Sequence, residues 1–266
     1  MKKYVLLLIT FSTIVFSQSN QPYPPINLVT IPTAGTLPKG YFSFENTFMN
    51  NGSILPKFSI GITNNFTLGM SFGISNFIGN GIIKKHKSYP EVQIKYRVYD
   101  ETETVPAVVI GIDTQGRGEY YEKYKNPSQE TLSLNRYEQK SLGLYIVMSR
   151  NWTALGNFGF HFGLNKNLTE ADDKDDDINI FFGFDKELNK SFSIYGEYNF
   201  ARDDDKYNDD IQEIIYRKGN GYLNAGLRWS ATDNLMLEIN VNDLSKNDRN
   251  SDAMNRELKI IYFEQF

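Results

Sequence analysis

From Gly40 to the final residue, apolar side chains recur at every second position along most of the chain. Over residues 66–75 the even positions are Phe, Leu, Met, Phe and Ile, and the odd positions are Thr, Gly, Ser, Gly and Ser. A period of two places alternate side chains on opposite faces of a β-strand. About twelve segments repeat this pattern, so the sequence predicts an all-β protein.

The lengths of the connections separate the two architectures that such strands can form. Connections predicted to be short fall at 63–65, 99–104, 150–154, 186–191 and 230–234. Those at the other end are predicted to be long, at 77–90, 114–139, 166–177, 202–219 and 243–256, except the first, near Asn51 and Gly52, which is tight. Alternating short turns and long loops are typical of membrane barrels. A soluble, lectin-like sandwich, the alternative, has no reason to sort its loops in this way. We therefore predict a transmembrane antiparallel up-and-down β-barrel of about twelve strands over residues 40–266.

The end of the chain supports this prediction. Phe266 is the last residue, and Tyr262 and Ile260 precede it on the same apolar parity. A terminal aromatic residue resembles the assembly signal of bacterial outer-membrane barrels, so we assign that role to Tyr262 and Phe266. Glu264 interrupts the apolar parity and departs from the pattern.

The start of the chain has the features of a secretory signal. Lys2 and Lys3 precede an almost wholly apolar run at 5–16, which ends before Ser17. The run is too short for a membrane-spanning helix, which needs about 20 residues. Residues 1–17 are therefore predicted to be a cleaved signal peptide and the mature protein to reach the cell envelope.

A proline-rich lead-in occupies residues 18–39, where five prolines make a central strand unfavourable. We expect this segment on the periplasmic side of the barrel. Val29, Ile31 and Leu37 would be poorly placed in a free tail, because each gains about 1.5–3 kcal/mol on burial. The lead-in is therefore expected to fold against the barrel mouth and to narrow it.

Composition excludes several functional classes. The chain has no Cys and two His, which removes disulfide scaffolds, Cys-ligated metals and thiol nucleophiles. With 28 basic and 32 acidic residues, the formal net charge is −4, and a nucleic-acid partner would need a basic face. We expect no cofactor, no metal and no nucleic-acid partner.

Charged residues on the polar parity are the candidate site residues, because this parity is predicted to face the lumen. They could line a pore or hold a polar substrate, or they could pair with one another and fill the interior. The residues are Glu45, Lys57, Lys95, Arg97, Glu197, Arg228, Glu238 and Lys259, with Glu257 on the same parity.

Two stretches resemble the YjbH-like family of outer-membrane barrels: INLVTIPTAGTLPKGYF at 26–42 and KYRVYDETETVPAVVIGIDTQGRGEYY at 95–121. The residues that carry the match are Pro32, Thr33, Ala34, Gly40, Lys95, Tyr96, Arg97, Pro106, Ala107, Gly111, Gly116 and Gly118. The resemblance covers roughly the first half of the chain. Longer members are associated with exopolysaccharide production and export, so it implies the outer membrane and a possible polysaccharide role.

Other residues that could carry chemistry have simpler interpretations. His161 lies on the lumen parity, and the spacing along its strand offers no serine–histidine–acid triad. His86 follows Lys84 and Lys85 in a basic loop that we expect to be solvated. Acidic runs at 172–177 and 203–210 are expected to be solvated loops, because neither has the spacing of a calcium loop.

These observations favour a non-enzymatic bacterial outer-membrane barrel, linked through the resemblance to exopolysaccharide production or export. A passive pore or small-solute transporter is the alternative, and a barrel lipid hydrolase is a third candidate. The expected partners are outer-membrane lipid, lipopolysaccharide, the barrel assembly machinery and a polysaccharide. The sequence identifies neither a solute nor an oligomeric state.

Overall fold

The computed structural model describes residues 25–126, 128–153, 156–205, 217–247 and 254–266. The predicted signal peptide at 1–17 lies outside the described residues and stays a prediction. Among the described residues, no helix is long and apolar enough to cross a membrane.

The described residues form sixteen strands. In chain order these are β1 (Tyr41–Phe48), β2 (Ile54–Thr63), β3 (Phe66–Ser71), β4 (Ile74–Ser75), β5 (Lys84–Lys85), β6 (Glu91–Tyr99), β7 (Ala107–Asp113), β8 (Arg117–Lys125), β9 (Thr131–Gln139), β10 (Gly143–Thr153), β11 (Asn157–Lys166), β12 (Asn179–Glu187), β13 (Phe192–Asn199), β14 (Tyr222–Ser230), β15 (Leu235–Asn242) and β16 (Asn255–Gln265).

Twelve of these strands close into an antiparallel barrel, which confirms the predicted fold class. The ring runs β1–β2–β3–β6–β7–β10–β11–β12–β13–β14–β15–β16, and β16 pairs with β1 to complete it. Phe44 of β1 lies opposite Tyr262 of β16 on one side and Phe58 of β2 on the other. Closure leaves no unpaired sheet edge, so every wall strand has two neighbours with which its backbone groups can pair.

The two faces of the wall follow the alternation in the sequence. On β11, Phe160 and Phe162 point outward with 41% and 37% of their surface exposed, whereas His161 between them is fully buried. Large apolar side chains are exposed in the same way on the other wall strands. An apolar belt of this kind suits contact with hydrocarbon rather than water.

The two ends of the barrel differ as the loop lengths predict. One end carries short connections, such as the two residues between β2 and β3, and we name it the short-turn end. The opposite end carries the long connections and is named the long-loop end. Strands β8 and β9 form a separate two-stranded sheet there, within the connection between β7 and β10.

The described part of the lead-in, residues 25–39, lies inside the barrel rather than at its mouth. Residues 25–39, named here the inner hairpin, reverse direction at 28–31, where the Leu28 nitrogen donates to the Ile31 carbonyl at 3.0 Å. Asn27 and Pro32 pair as an isolated antiparallel bridge. The hairpin base lies at the short-turn end, because the Thr36 hydroxyl donates to the Asn64 carbonyl in the β2–β3 turn at 2.8 Å.

Apolar side chains of the hairpin form the main core of the molecule. Leu28, Val29, Ile31 and Ala34 are at most 2% exposed. They belong to one buried cluster with side chains from β7, β10, β12 and β13, namely Ala107, Val109, Tyr145, Val147, Phe181 and Tyr195. This contact explains why β7 departs from clean alternation: the inward-facing Val109 faces the hairpin rather than water. The hairpin therefore fills the middle of the lumen, which a simple barrel would leave open.

Candidate functional site

Glu197 on β13 holds the tip of the inner hairpin. Its carboxylate accepts backbone N–H groups from Val29 and Thr30 at 2.8 Å and from Ile31 at 3.2 Å, and it also accepts the Thr30 hydroxyl. Asn224 of β14 donates its side-chain amide to the same carboxylate at 2.8 Å. Successive N–H groups that converge in this way form an anion-binding concavity. A wall carboxylate thus occupies the anion site that the hairpin tip creates.

Cations of the wall bind the hairpin carbonyls. Lys95 of β6 donates to the carbonyls of Ile26 and Thr33, the latter at 3.4 Å. Arg97, on the same strand, donates to the Ala34 carbonyl at 3.2 Å. These bonds recognise backbone groups that the buried hairpin would otherwise leave unsatisfied.

Two further arginines complete this set. Arg117 of β8 donates to the Val29 carbonyl at 2.9 Å and forms an ion pair with Glu257 of β16. Arg228 of β14 donates to the Asn27 carbonyl at 3.2 Å. One carboxylate and four cations therefore bind the hairpin backbone, and all but Arg117 belong to the wall.

The remaining predicted lumen charges lie on the inward face. Arg228 and Lys259 flank the fully buried Glu238 at 2.6 and 3.0 Å, so these three neutralise one another in part. Glu45 and Lys57 face each other in the register of β1 and β2. Thus the interior combines charges that pair within the wall with charges, chiefly Lys95 and Glu197, that are directed at the hairpin.

His161 lies in a hydrogen-bonded chain that the sequence analysis excluded, and that expectation is wrong. Its Nδ1 is 2.7 Å from the Ser149 hydroxyl, and its Nε2 is 2.8 Å from a carboxylate oxygen of Asp185. The spacing along β11 could not show this, because the partners come from the neighbouring strands β10 and β12. Ser149 is the direct cross-strand partner of His161.

The hairpin covers this chain of side chains. The Ala34 nitrogen donates to Ser149 Oγ at 2.8 Å, and Ser149 and His161 are fully buried. In the tautomer that carries its proton on Nε2, His161 donates to an ionised Asp185 and accepts the Ser149 hydroxyl at Nδ1. Ser149 then has its lone pairs free for Ala34. The arrangement fixes the hairpin over the Ser149 hydroxyl, which is not accessible to solvent.

Two cavities lie on opposite sides of the inner hairpin. At the short-turn end a small cavity of about 50 Å³ is lined by Pro25, Ile26 and Leu37 of the hairpin and by residues of β1 and of β12 to β16, such as Ser193 and Met236. At the long-loop end a cavity of about 710 Å³ is lined by polar side chains that include Arg117 and Asn224, which also hold the hairpin tip. The hairpin therefore lies between a wide outer vestibule and a narrow inner pocket.

Part of each acidic run is packed rather than solvated, contrary to expectation: Asp173, Asp175, Asp203 and Asp204 are buried, whereas Asp172, Asp176 and Asp177 are exposed as expected. Arg136 of β9 forms ion pairs with Asp173 and with Asp204, the latter at 2.6 Å, and all three side chains are buried. Lys140 contributes a second cation to Asp173 at 2.7 Å. These cations come from another long connection, so each run viewed alone gave no sign of its partners.

Asp203 lies within this packed region at the long-loop end. Burial, followed by the neighbouring charge of Asp204, raises the pKa of Asp203 to about 7, although Lys140 acts in the opposite direction.

His86 is also buried, beside Ser75 at 2.9 Å and the ring of Tyr137, rather than solvated as expected. Among the described residues, no group of three His, Asp or Glu side chains is arranged to hold a metal ion.

The predicted assembly residues lie at the short-turn end. Tyr262 faces outward beside Phe42 with ring centroids 6.3 Å apart, and Phe266 is 74% exposed next to the same ring at 6.5 Å. The Phe266 nitrogen also donates to the Gly40 carbonyl at 2.9 Å, which ties the two ends of the barrel chain together. Their role in assembly stays a prediction.

Comparison with known proteins identifies the architecture. No protein-family model matches the chain, and no curated protein matches it. Among solved structures, a KdgM porin is similar over 84% of this chain and 98% of its own, with 12% identity and a TM-score of 0.50. A KdgM porin in complex with disordered oligogalacturonate covers 85% and 99%, with 11% identity and a TM-score of 0.47.

A loop-deletion mutant of OmpT, an outer membrane protein of Vibrio cholerae, is also similar over 85% of this chain and 97% of its own, at 9% identity and a TM-score of 0.32. At such identities the likeness concerns the fold. The likeness to the KdgM porin, together with the closed ring and its apolar belt, places the chain in the bacterial outer membrane. This protein is a twelve-stranded outer-membrane β-barrel whose lumen is filled by its own N-terminal hairpin.

Proposed function

We propose that the protein is a plugged outer-membrane pore for small polar solutes, with the inner hairpin as its closing element. The observation that carries the proposal is the position of the hairpin between the outer vestibule of about 710 Å³ and the small inner pocket. A solute that crosses the barrel must pass the place that the hairpin fills. The role is non-enzymatic.

The hairpin can leave without opening the wall. The barrel closes through the pairing of β1 with β16, and that ladder includes no residue before Tyr41. Residues 25–39 join the wall through Gly40 at the short-turn end, which faces the periplasm in bacterial barrels. Movement toward the periplasm would therefore break the hairpin contacts and preserve all twelve wall strands.

Beside the apolar patch that packs on the hairpin, the wall behind it carries the polar groups that a solute pathway requires. Lys95, Arg97 and Glu197 carry charge into the lumen, and Ser149 and Asn224 add neutral donors and acceptors. Water or solute could satisfy these groups once the hairpin left. The similar KdgM protein is a porin, and that likeness makes conduction the first activity to test for this chain.

Membership of the YjbH-like family and a role in exopolysaccharide production or export remain proposals that rest on the sequence resemblance. Export of a polysaccharide through this barrel would require the same displacement of the hairpin. The pore is the simpler proposal, because it requires only the vestibule, the hairpin and the polar groups of the wall.

Deletion of residues 27–38 tests the proposal in planar lipid bilayers. We expect the full chain to conduct poorly and the deletion variant to conduct at least about tenfold better, since the lumen is no longer filled. Heat-dependent mobility on gels would show that both proteins are folded barrels. Equal, low conductance of two folded barrels would contradict the proposal.

A further inference from the structure

We propose that the outer vestibule is a binding site for a small organic cation that carries amine hydrogen-bond donors. The inference rests on the proposed function, in which the vestibule is the first compartment that an external solute meets. The groups that line the cavity indicate the chemical class of that solute.

The vestibule contains buried polar atoms that have no hydrogen-bond partner among the described residues. These atoms are Tyr222 Oη, Asn242 Oδ1 and Glu257 Oε2, on side chains that line the cavity. The three residues are 5%, 8% and 6% exposed. An unsatisfied buried polar group is costly, and two of these atoms can only accept hydrogen bonds. A ligand that donates hydrogen bonds would therefore satisfy them.

The charge of the lining favours a cation. Four carboxylates face two guanidinium groups around the cavity, and the residues are Glu119, Glu138, Asp243 and Glu257 with Arg117 and Arg217. Both arginines already contact carboxylates, Arg117 at Glu257 and Arg217 at Asp204 and Glu138. A cationic ligand would offset the excess of two negative charges, whereas an anion would add to it.

Amide side chains at the rim suit the same ligand. Asn50, Asn76, Asn80 and Asn255 also line the cavity, and each offers a carbonyl oxygen to an ammonium group. The volume of about 710 Å³ lies within the range of small-molecule sites. A linear diamine would fit with room for water.

The floor of the site connects a bound ligand to the hairpin. Arg117 lies between Glu257 and the Val29 carbonyl, and Asn224 lies between the cavity and Glu197. An ammonium group at Glu257 would compete with Arg117 for that carboxylate. Binding in the vestibule would therefore weaken one of the supports of the hairpin tip.

Titration calorimetry on the full-length, detergent-solubilised protein tests the site with three probes of similar length. The probes are 1,4-diaminobutane, 1,4-butanediol and succinate, which differ mainly in charge. We expect the diamine to bind at least about ten times more tightly than the other two, because charge-assisted hydrogen bonds are the stronger kind. Equal affinity for all three probes, or tightest binding of succinate, would overturn the proposal.

Two variants locate the binding. Glu257→Gln should weaken diamine binding at least about tenfold, and Tyr222→Phe, which removes only the hydroxyl, should weaken it by a smaller factor. Glu122→Gln removes the same charge from an exposed position on β8 outside the cavity and should bind as the wild type does. Wild-type affinity in both vestibule variants would overturn the site.

The binding test and the conductance test can fail separately. If the diamine does not bind but deletion of 27–38 opens the barrel, the vestibule proposal is wrong and the plugged pore stands. If the diamine binds in the vestibule but the deletion variant does not conduct, the pore is wrong and the binding site stands.

Discussion

The carboxylate of Glu197 accepts the backbone N–H of Val29 at 2.8 Å, although 168 residues separate them in the sequence. The same carboxylate accepts the next two N–H groups of the chain. An ionised carboxylate has about four lone-pair positions and no donor, so it matches a turn whose N–H groups point to one place. This contact orients the hairpin tip below the outer vestibule.

Replacement of Glu197 by Gln should loosen the inner hairpin. The Gln amide would direct a donor at N–H groups that need an acceptor, and hydrogen bonds to a charged group contribute about 1.5–3 kcal/mol. We expect faster hydrogen exchange at residues 28–31 and unchanged exchange in the wall strands. Glu45→Gln, which removes a lumen charge away from the tip, is the control. Unchanged protection at 28–31 would show that Glu197 does not hold the hairpin.

Ser149 should act as a hairpin anchor and not as a nucleophile. Ser149→Ala leaves the Ala34 nitrogen and a His161 nitrogen without partners, at a cost of about 1–3 kcal/mol. The hairpin should become more sensitive to protease. Ser43→Ala removes a buried hydroxyl that has no partner among the described residues and should have little effect.

A fluorophosphonate probe tests the enzymatic alternative directly. We expect no labelling of Ser149 in the full chain or in the variant that lacks residues 27–38. Labelling that disappears in Ser149→Ala would show that the chain of Ser149, His161 and Asp185 is a reactive triad.

Outward-facing side chains should be intolerant of charge. Phe162 of β11 lies between Met148 and Phe182 in the strand register, so its ring faces the hydrocarbon region. Phe162→Arg should lower the free energy of unfolding by about 2–4 kcal/mol, and Phe162→Leu should lower it much less. Urea titration in lipid vesicles measures both variants. An equal loss in both would mean that this position does not meet lipid.

The barrel could be predicted because its wall has a local signature. Alternation fixes which face of each strand is apolar, and the register then follows from the short turns. Phe160 and His161 illustrate this, since neighbouring positions in the sequence have opposite exposure. The predicted division into short and long connections is also found in the structure, because it reflects the topology and not any individual contact.

The site could be predicted only in part, because its contacts join distant segments. The sequence identified Glu197 and Lys95 as lumen residues but could not show that they bind the backbone of the lead-in. Gly183 offered an indirect signal: a Cβ there would lie 2.5 Å from Leu28 Cδ1, so the missing side chain makes room for the hairpin. Val109, an apolar residue at a position of the polar parity, was a second signal for the contact between the wall and the hairpin.

The packed acidic region should respond to pH through Asp203. Its pKa is raised from an ordinary value of 3.8 to about 7, so the folded state binds a proton more tightly than the unfolded state. Stability from this group is therefore present at low pH and is lost as pH rises from about 4 to about 7. Asp204, Asp175 and Lys140 carry the nearby charges.

Thermal unfolding across this pH range checks the prediction. The midpoint of Asp203→Asn, relative to wild type, should rise as pH increases from 4 to 8, because the amide never ionises. Groups common to both proteins cancel in this comparison. A constant difference between the two proteins would contradict the raised pKa.

The most direct test of the plugged pore is a reversible lock on the hairpin. The chain has no native cysteine, and a Cβ on Gly183 would lie 2.5 Å from Leu28 Cδ1, so these two positions are the candidates for an engineered disulfide. Leu28→Cys and Gly183→Cys, combined with Glu197→Gln to loosen the tip, would be recorded in planar bilayers before and after reduction. The account predicts a closed barrel when oxidised and an open, conducting one when reduced. The same conductance in both states, with the disulfide verified, would contradict it.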